Sequence, residues 1–103
     1  MIDEILEAAG IPYKETKYVS PPKGTYIAVF DSSQAIGPDF APNMLIRHAV
    51  TFELYSYKID TDSEAAIEAA MSAADMDWTK SDREWIEQEK LYQTVYNFSF
   101  VSK

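Results

Sequence analysis

Cysteine is absent from this chain, glycine occurs three times and histidine once. Without thiols there is no disulfide framework and no thiolate metal site, a composition that fits a reducing compartment. The glycines Gly10, Gly24 and Gly37 stand alone, so no glycine-rich loop can cradle a phosphate. With one imidazole, at His48, a metal centre would have to be assembled from carboxylates around it. A structural or surface role for His48 therefore outweighs that of a ligand or general base. No apolar run reaches the roughly 20 residues that a membrane-spanning helix needs. The opening Met1-Ile2-Asp3-Glu4 places acids where a secretory leader carries bases. These absences give an expectation of folding in the cytoplasm, with no membrane partner, cofactor or metal.

Basic residues are also few, nine against 17 acids, for a formal net charge of −8. Affinity for a phosphate backbone comes mainly from Lys and Arg displacing counterions, so sequence-specific nucleic-acid binding is disfavoured. The acidity suits a soluble surface, a wall past which DNA slides without sticking, or a decoy that imitates DNA.

What remains is an ordinary globular composition, 47% hydrophobic, 14% aromatic and 25% charged over 103 residues. That length suits one domain, residues 1–103. Ile2, Ile5, Leu6 and Ala9 recur at helical spacing, acids occupy the first turn, and Gly10 followed by Pro12 ends the segment. Residues 13–19 read as a short strand. Residues 25–31 (TYIAVFD) read as a strand apolar on both faces, which implies burial on both sides or a face shared between subunits. Residues 32–43 hold Gly37, Pro38 and Pro42 without a usable period and read as a long loop. Its Ile36 and Phe40 either tuck back onto the core or dock on another chain, and with Met44 they are the candidate partner-binding residues.

Residues 44–57 form a long strand with Ile46, His48, Val50, Phe52 and Leu54 on its core face. Thr61-Asp62-Ser63-Glu64 has capping-box spacing, so a helix is expected from Thr61 to about Ala74. Its buried stripe is Ile67, Ala70, Met71 and Ala74, and Glu64 and Glu68 are expected to face water. Residues 76–85 read as an edge strand or a hairpin arm turning near Lys80-Ser81-Asp82. A closing strand rich in β-formers then runs to Val101. The expected fold is α+β, a mostly antiparallel sheet with two helices packed on it, in the order α-β-β-β-α-β-β.

No catalytic constellation stands out. The acids Asp60, Asp62 and Glu64, and Asp75 with Asp77, lack the glycine and the closing bidentate Glu of a calcium loop. Ser32 and Ser33 have no evident base, so an enzyme is not expected; a deep pocket joining His48 to carboxylates would reverse that. The aromatic residues read as core before they read as a ligand cage. Apolar strand faces in excess of a one-layer core point to self-association.

Several segments carry a resemblance. They are the opening helix with Gly10-Ile11-Pro12-Tyr13, the Pro21-Pro22 pair before Tyr26-Ile27-Ala28-Val29-Phe30, the strand Val50-Thr51-Phe52-Glu53-Leu54-Tyr55, and Glu87 to Tyr96. With these the chain resembles the small tail-completion proteins of long-tailed phages and prophages, the tail-terminator or tail-to-head joining proteins. The polar stretch from Asp75 to Glu84 departs from that pattern. The resemblance implies a subunit that forms a ring, typically hexameric, on the end of the tail tube and presents its other surface to the head connector or stopper. It implies a place in the virion, at the head-proximal end of the tail, and no catalytic residues. The competing expectation is an acidic decoy that binds a host nucleic-acid-binding protein.

Overall fold

The computed structural model describes residues 1–15, 22–36 and 45–102. Helix α1 (Ile2–Ala9) is followed by β1 (Tyr13–Glu15), β2 (Tyr26–Ile36) and β3 (Leu45–Ser56). Helix α2 (Thr61–Ala73) then precedes β4 (Thr79–Lys80), β5 (Glu84–Ile86) and β6 (Leu91–Ser102). The α+β class and the order of elements follow the sequence reading. The sheet has six strands in the order β1-β2-β3-β6-β4, with β5 also on β6. All pairings are antiparallel except β1 with β2, so the sheet is mixed.

Both helices cover one face of the sheet. From α1 come Ile5 and Leu6; from α2 come Ile67, Ala70 and Met71. They meet Ile27 and Val29 of β2, Val50, Phe52 and Leu54 of β3, and Tyr96 and Phe98 of β6. The period-2 alternation of β3 thus places its core face where the sequence predicts. The ring of Phe98 stands edge-on to that of Phe52, centroids 5.2 Å apart. The opposite face buries Tyr26, Ala28, Tyr55 and Leu91, with Phe30 and Ile86 packed against them. Part of the two-faced apolar surplus in β2 is therefore satisfied within the subunit.

Helix α1 ends as predicted. Gly10 takes φ 72°, a left-handed conformation that a side chain would strain, and donates its N–H back to Leu6 and Glu7. At α2 the cap is one residue earlier than the capping-box reading. Asp60 accepts from the Ser63 N–H at 3.0 Å and from the Thr25 hydroxyl, tying the helix start to the entry of β2. These two contacts, Thr25 first, hold the Asp60 carboxyl below the usual carboxylate range. Asp60→Ala is expected to cost about 1 kcal/mol, read as a lower midpoint in chemical denaturation with unchanged slope.

Three further expectations change. Residues 32–36 are not loop: β2 continues through them, paired residue for residue with Leu45 to Ala49. Their polar composition hid a strand that has little to bury. The segment before the closing strand is two short strands, and 87–90 form a turn in which Lys90 adopts φ 57°, so the last strand begins at Leu91. Glu64 does not face water; it is 5% exposed. Arg83 and Lys80, absent from any helix-only reading, reach over it from the β4–β5 edge.

Candidate functional site

A strand of 12 residues is about 40 Å long, whereas a helix of 13 is about 20 Å. The helices therefore cannot cover the whole sheet. Burial along β2 ends at Val29, with Phe30 half-buried and Asp31 to Ala35 exposed. Along β3 the stretch Leu45 to Ala49 alternates between exposed and half-buried, as does β6 from Ser99 to Ser102. The far halves of β2, β3 and β6 form a three-stranded arm beyond the core. On its face away from the helices, Leu45 is 37% and Val101 50% exposed. They are diagonal neighbours, because Arg47 is the direct partner of Val101.

Of the predicted partner-binding residues, Ile36 lies at the end of β2, its backbone paired with Leu45. Phe40 and Met44 lie outside the described residues. Leu45 and Val101 were not singled out from sequence as partner-binding residues: alternation sets Leu45 opposite the core face of β3, but no local pattern shows that this face is left open there. Tyr57, Ile59 and Trp85 are also exposed, near the other end of the long strands.

The base of the arm, on the helix face, is locked by His48. Its Nδ1 lies 3.1 and 3.2 Å from the Asp31 carboxylate oxygens, and its Nε2 lies 2.9 Å from the Ser102 hydroxyl. A carboxylate oxygen can only accept, so Nδ1–H donates to Asp31, and Nε2 shares the second hydrogen bond with the Ser102 hydroxyl. Phe100 stacks on the imidazole, centroids 4.6 Å apart. One histidine thereby ties β2, β3 and β6 together.

The order Asp–His–Ser is that of a nucleophile relay, and sequence reasoning missed it because Ser102 is remote in the chain. The surroundings do not suit acyl transfer. The neighbouring depression, lined by Met1, Ile2, Asp3, Glu15, His48, Phe100 and Ser102, opens to solvent. Asp3 and Glu15 bring carboxylates to where an oxyanion would need donors. Ser102 sits on a strand of unbroken register, and a ring is stacked on its base. The contacts serve cohesion between strands. Among the described residues no group of three or more His, Cys, Asp or Glu could hold a metal.

A second polar assembly clamps α2 to the opposite edge of the sheet. Arg83 donates to Glu64 through Nε and Nη2, Lys80 bridges Glu64 at 3.0 Å and Glu68 at 2.8 Å, and the Tyr96 hydroxyl donates to Glu68 at 2.7 Å. Burial works against the Glu64 charge, but the contacts from Arg83 and Lys80 outweigh it and hold the carboxyl below its usual range. Burial, then the bond to Glu68, pushes the Tyr96 phenol up. Among the described residues no buried side-chain N or O lacks a hydrogen-bond partner, which fits a structural role for this cluster.

No family model and no curated protein matches the chain. Its fold is similar to that of a chain in the solved structure described as "Virion of native gene transfer agent (GTA) particle", at a TM-score of 0.61 and 13% identity. The likeness covers 92% of this chain and 81% of that one. At such identity it is a likeness of fold.

Proposed function

We propose that this chain is a structural subunit of a phage or prophage virion, one that completes the tail and joins it to the head by forming a ring on the end of the tail tube. It works by shape and surface rather than by bond chemistry and needs no cofactor. The observation that carries the reading is the virion chain whose fold matches nearly the whole length of this one. Two features support it. The arm extends strands past what its helices can cover, and it presents Leu45 and Val101 on an open face. The His48 array is built to keep that arm rigid rather than to react. The partners on this reading are further copies of the chain, in a hexamer, together with a tail-tube protein and a head-connector or stopper protein. The place of action is the head-proximal end of the tail, after assembly in the host cytoplasm.

The test is complementation of particles made without this chain. The double change Leu45→Asp with Val101→Asp leaves the core untouched and puts two carboxylates on the open face. It is expected to lower the yield of joined particles by at least about tenfold, with unjoined tails counted by electron microscopy. Full complementation by the double variant would remove the arm from the joining surface. Capture of a basic host protein in place of virion components would favour the decoy.

A further inference from the structure

Among the described residues the arm has two unpaired edges, and the hydrogen bonds show which backbone groups line them. Val95 faces β4: Ser81 N–H donates to its carbonyl at 2.9 Å, and its own N–H donates to the Ser81 hydroxyl. The β3–β6 register runs unbroken to Ser102, and backbone groups alternate sides along a strand, so Ser99 and Val101 also point outward. Pairing with β4 stops at Asn97, and no other described strand lies beside Phe98–Ser102. On the other side, Ile27 donates outward to the Pro12 carbonyl, and the β2–β3 register is equally unbroken. Asp31, Ser33 and Ala35 therefore point outward too. Among the described residues β1 accompanies β2 only as far as Val29.

Soluble proteins blunt such edges with lysine, proline or bulges. Residues 98–102 read Phe-Ser-Phe-Val-Ser, with no charge, proline or glycine. The β2 edge has one charge, Asp31, and its carboxylate is held by His48. Charge distribution indicates what meets these edges. Over 31–36, 45–51 and 97–102 the arm holds one acid, Asp31, and one base, Arg47, so the whole formal charge of −8 belongs to the rest of the chain. Identical acidic copies repel one another overall, and the arm is a stretch that carries no net charge.

We propose that a second copy of this chain docks edge to edge on the arm, the outer side of β6 over Phe98–Ser102 pairing with the outer side of β2 over Asp31–Ile36 of the next copy. This names the contact between neighbours in the ring proposed above and rests on that reading for the ring's closure. Within one copy both strands run antiparallel to β3 and hence parallel to each other; the small rotation that relates neighbours in a ring keeps that direction, so the junction is parallel and each added copy leaves the same two edges free. Unlike edges meeting head to tail repeat by rotation and can close.

Sedimentation velocity on the full chain tests the contact. Wild type is expected to form species larger than dimers, more readily at about 0.5 M than at about 50 mM salt, because screening weakens repulsion between the acidic bodies. Ser99→Pro and Ser33→Pro each remove one outward N–H without touching the ladder to β3, and each alone is expected to sediment as a monomer with an unchanged thermal melt. Mixed in equal amounts they are expected to form a one-to-one dimer and nothing larger, since each retains one working edge. Val101→Pro, nearer the strand end, repeats the block if Ser99→Pro impairs folding. Wild-type assembly that either proline variant reproduces alone would overturn edge pairing and leave the ring standing on another surface. Wild type that stays monomeric at both salt concentrations would also overturn it, while the virion reading is decided separately by complementation.

Discussion

Phe52→Ala is expected to destabilise the subunit by about 4 kcal/mol, enough to unfold most of the population of a marginally stable domain. Phe52 is 0% exposed in the central strand β3, edge-on to Phe98, in the cluster that joins both helices to the sheet. Truncation removes the ring from the one layer that every element of the core shares, and the pleated backbone on both sides cannot collapse into the space. Thermal unfolding by circular dichroism reads the effect. A loss under about 1 kcal/mol would mean that the helices re-seat on the sheet, contrary to a single tightly packed layer.

Removing the Glu64 carboxylate by Glu64→Ala should cost about 2 kcal/mol. Pairs buried on both sides lose more, but Arg83 and Lys80 are each about one-third exposed and can rehydrate. The same group gives stability a defined pH dependence. Its folded pKa lies below the ordinary value of 4.5, so its contribution is fully present above about that pH and is lost as the pH falls through the folded value. Asp60, also held low, acts in the same direction. Wild type should therefore lose melting temperature steadily on acidification below about pH 4.5. Glu64→Gln, which keeps the shape without the titrating group, should show a shallower slope over that range. Parallel slopes for the two proteins would show that Lys80 and Arg83 do not stabilise the charged form.

Helix α1 was legible to its last residue because periodicity, first-turn acids and Gly10 all mark the same boundaries. The core face of β3 was legible because strict alternation allows one assignment only. The continuation of β2 through Asp31–Ile36 was not, since Ser-Ser-Gln carries no apolar alternation and the strand there is held by backbone pairing with β3. Glu64 was misplaced for a related reason. On an isolated helix a glutamate beside Ala65 belongs to the solvent side, and only the return of the chain at Lys80 and Arg83 makes burial of its charge tolerable.

The same division holds for the candidate site. Composition excluded thiol chemistry and phosphate loops, and local pattern supplied the α+β order and the apolar residues of 36–44. The Asp31–His48–Ser102 lock joins residues 17 and 54 positions away from His48, and the arm edges left unpaired among the described residues follow from which strands pair. Local signals such as caps, turns and alternation act over a few residues and survive in the sequence as pattern. Which strand lies beside which, and where a strand outruns its cover, is set by long-range packing of β2, β3 and β6, and no local pattern encodes it.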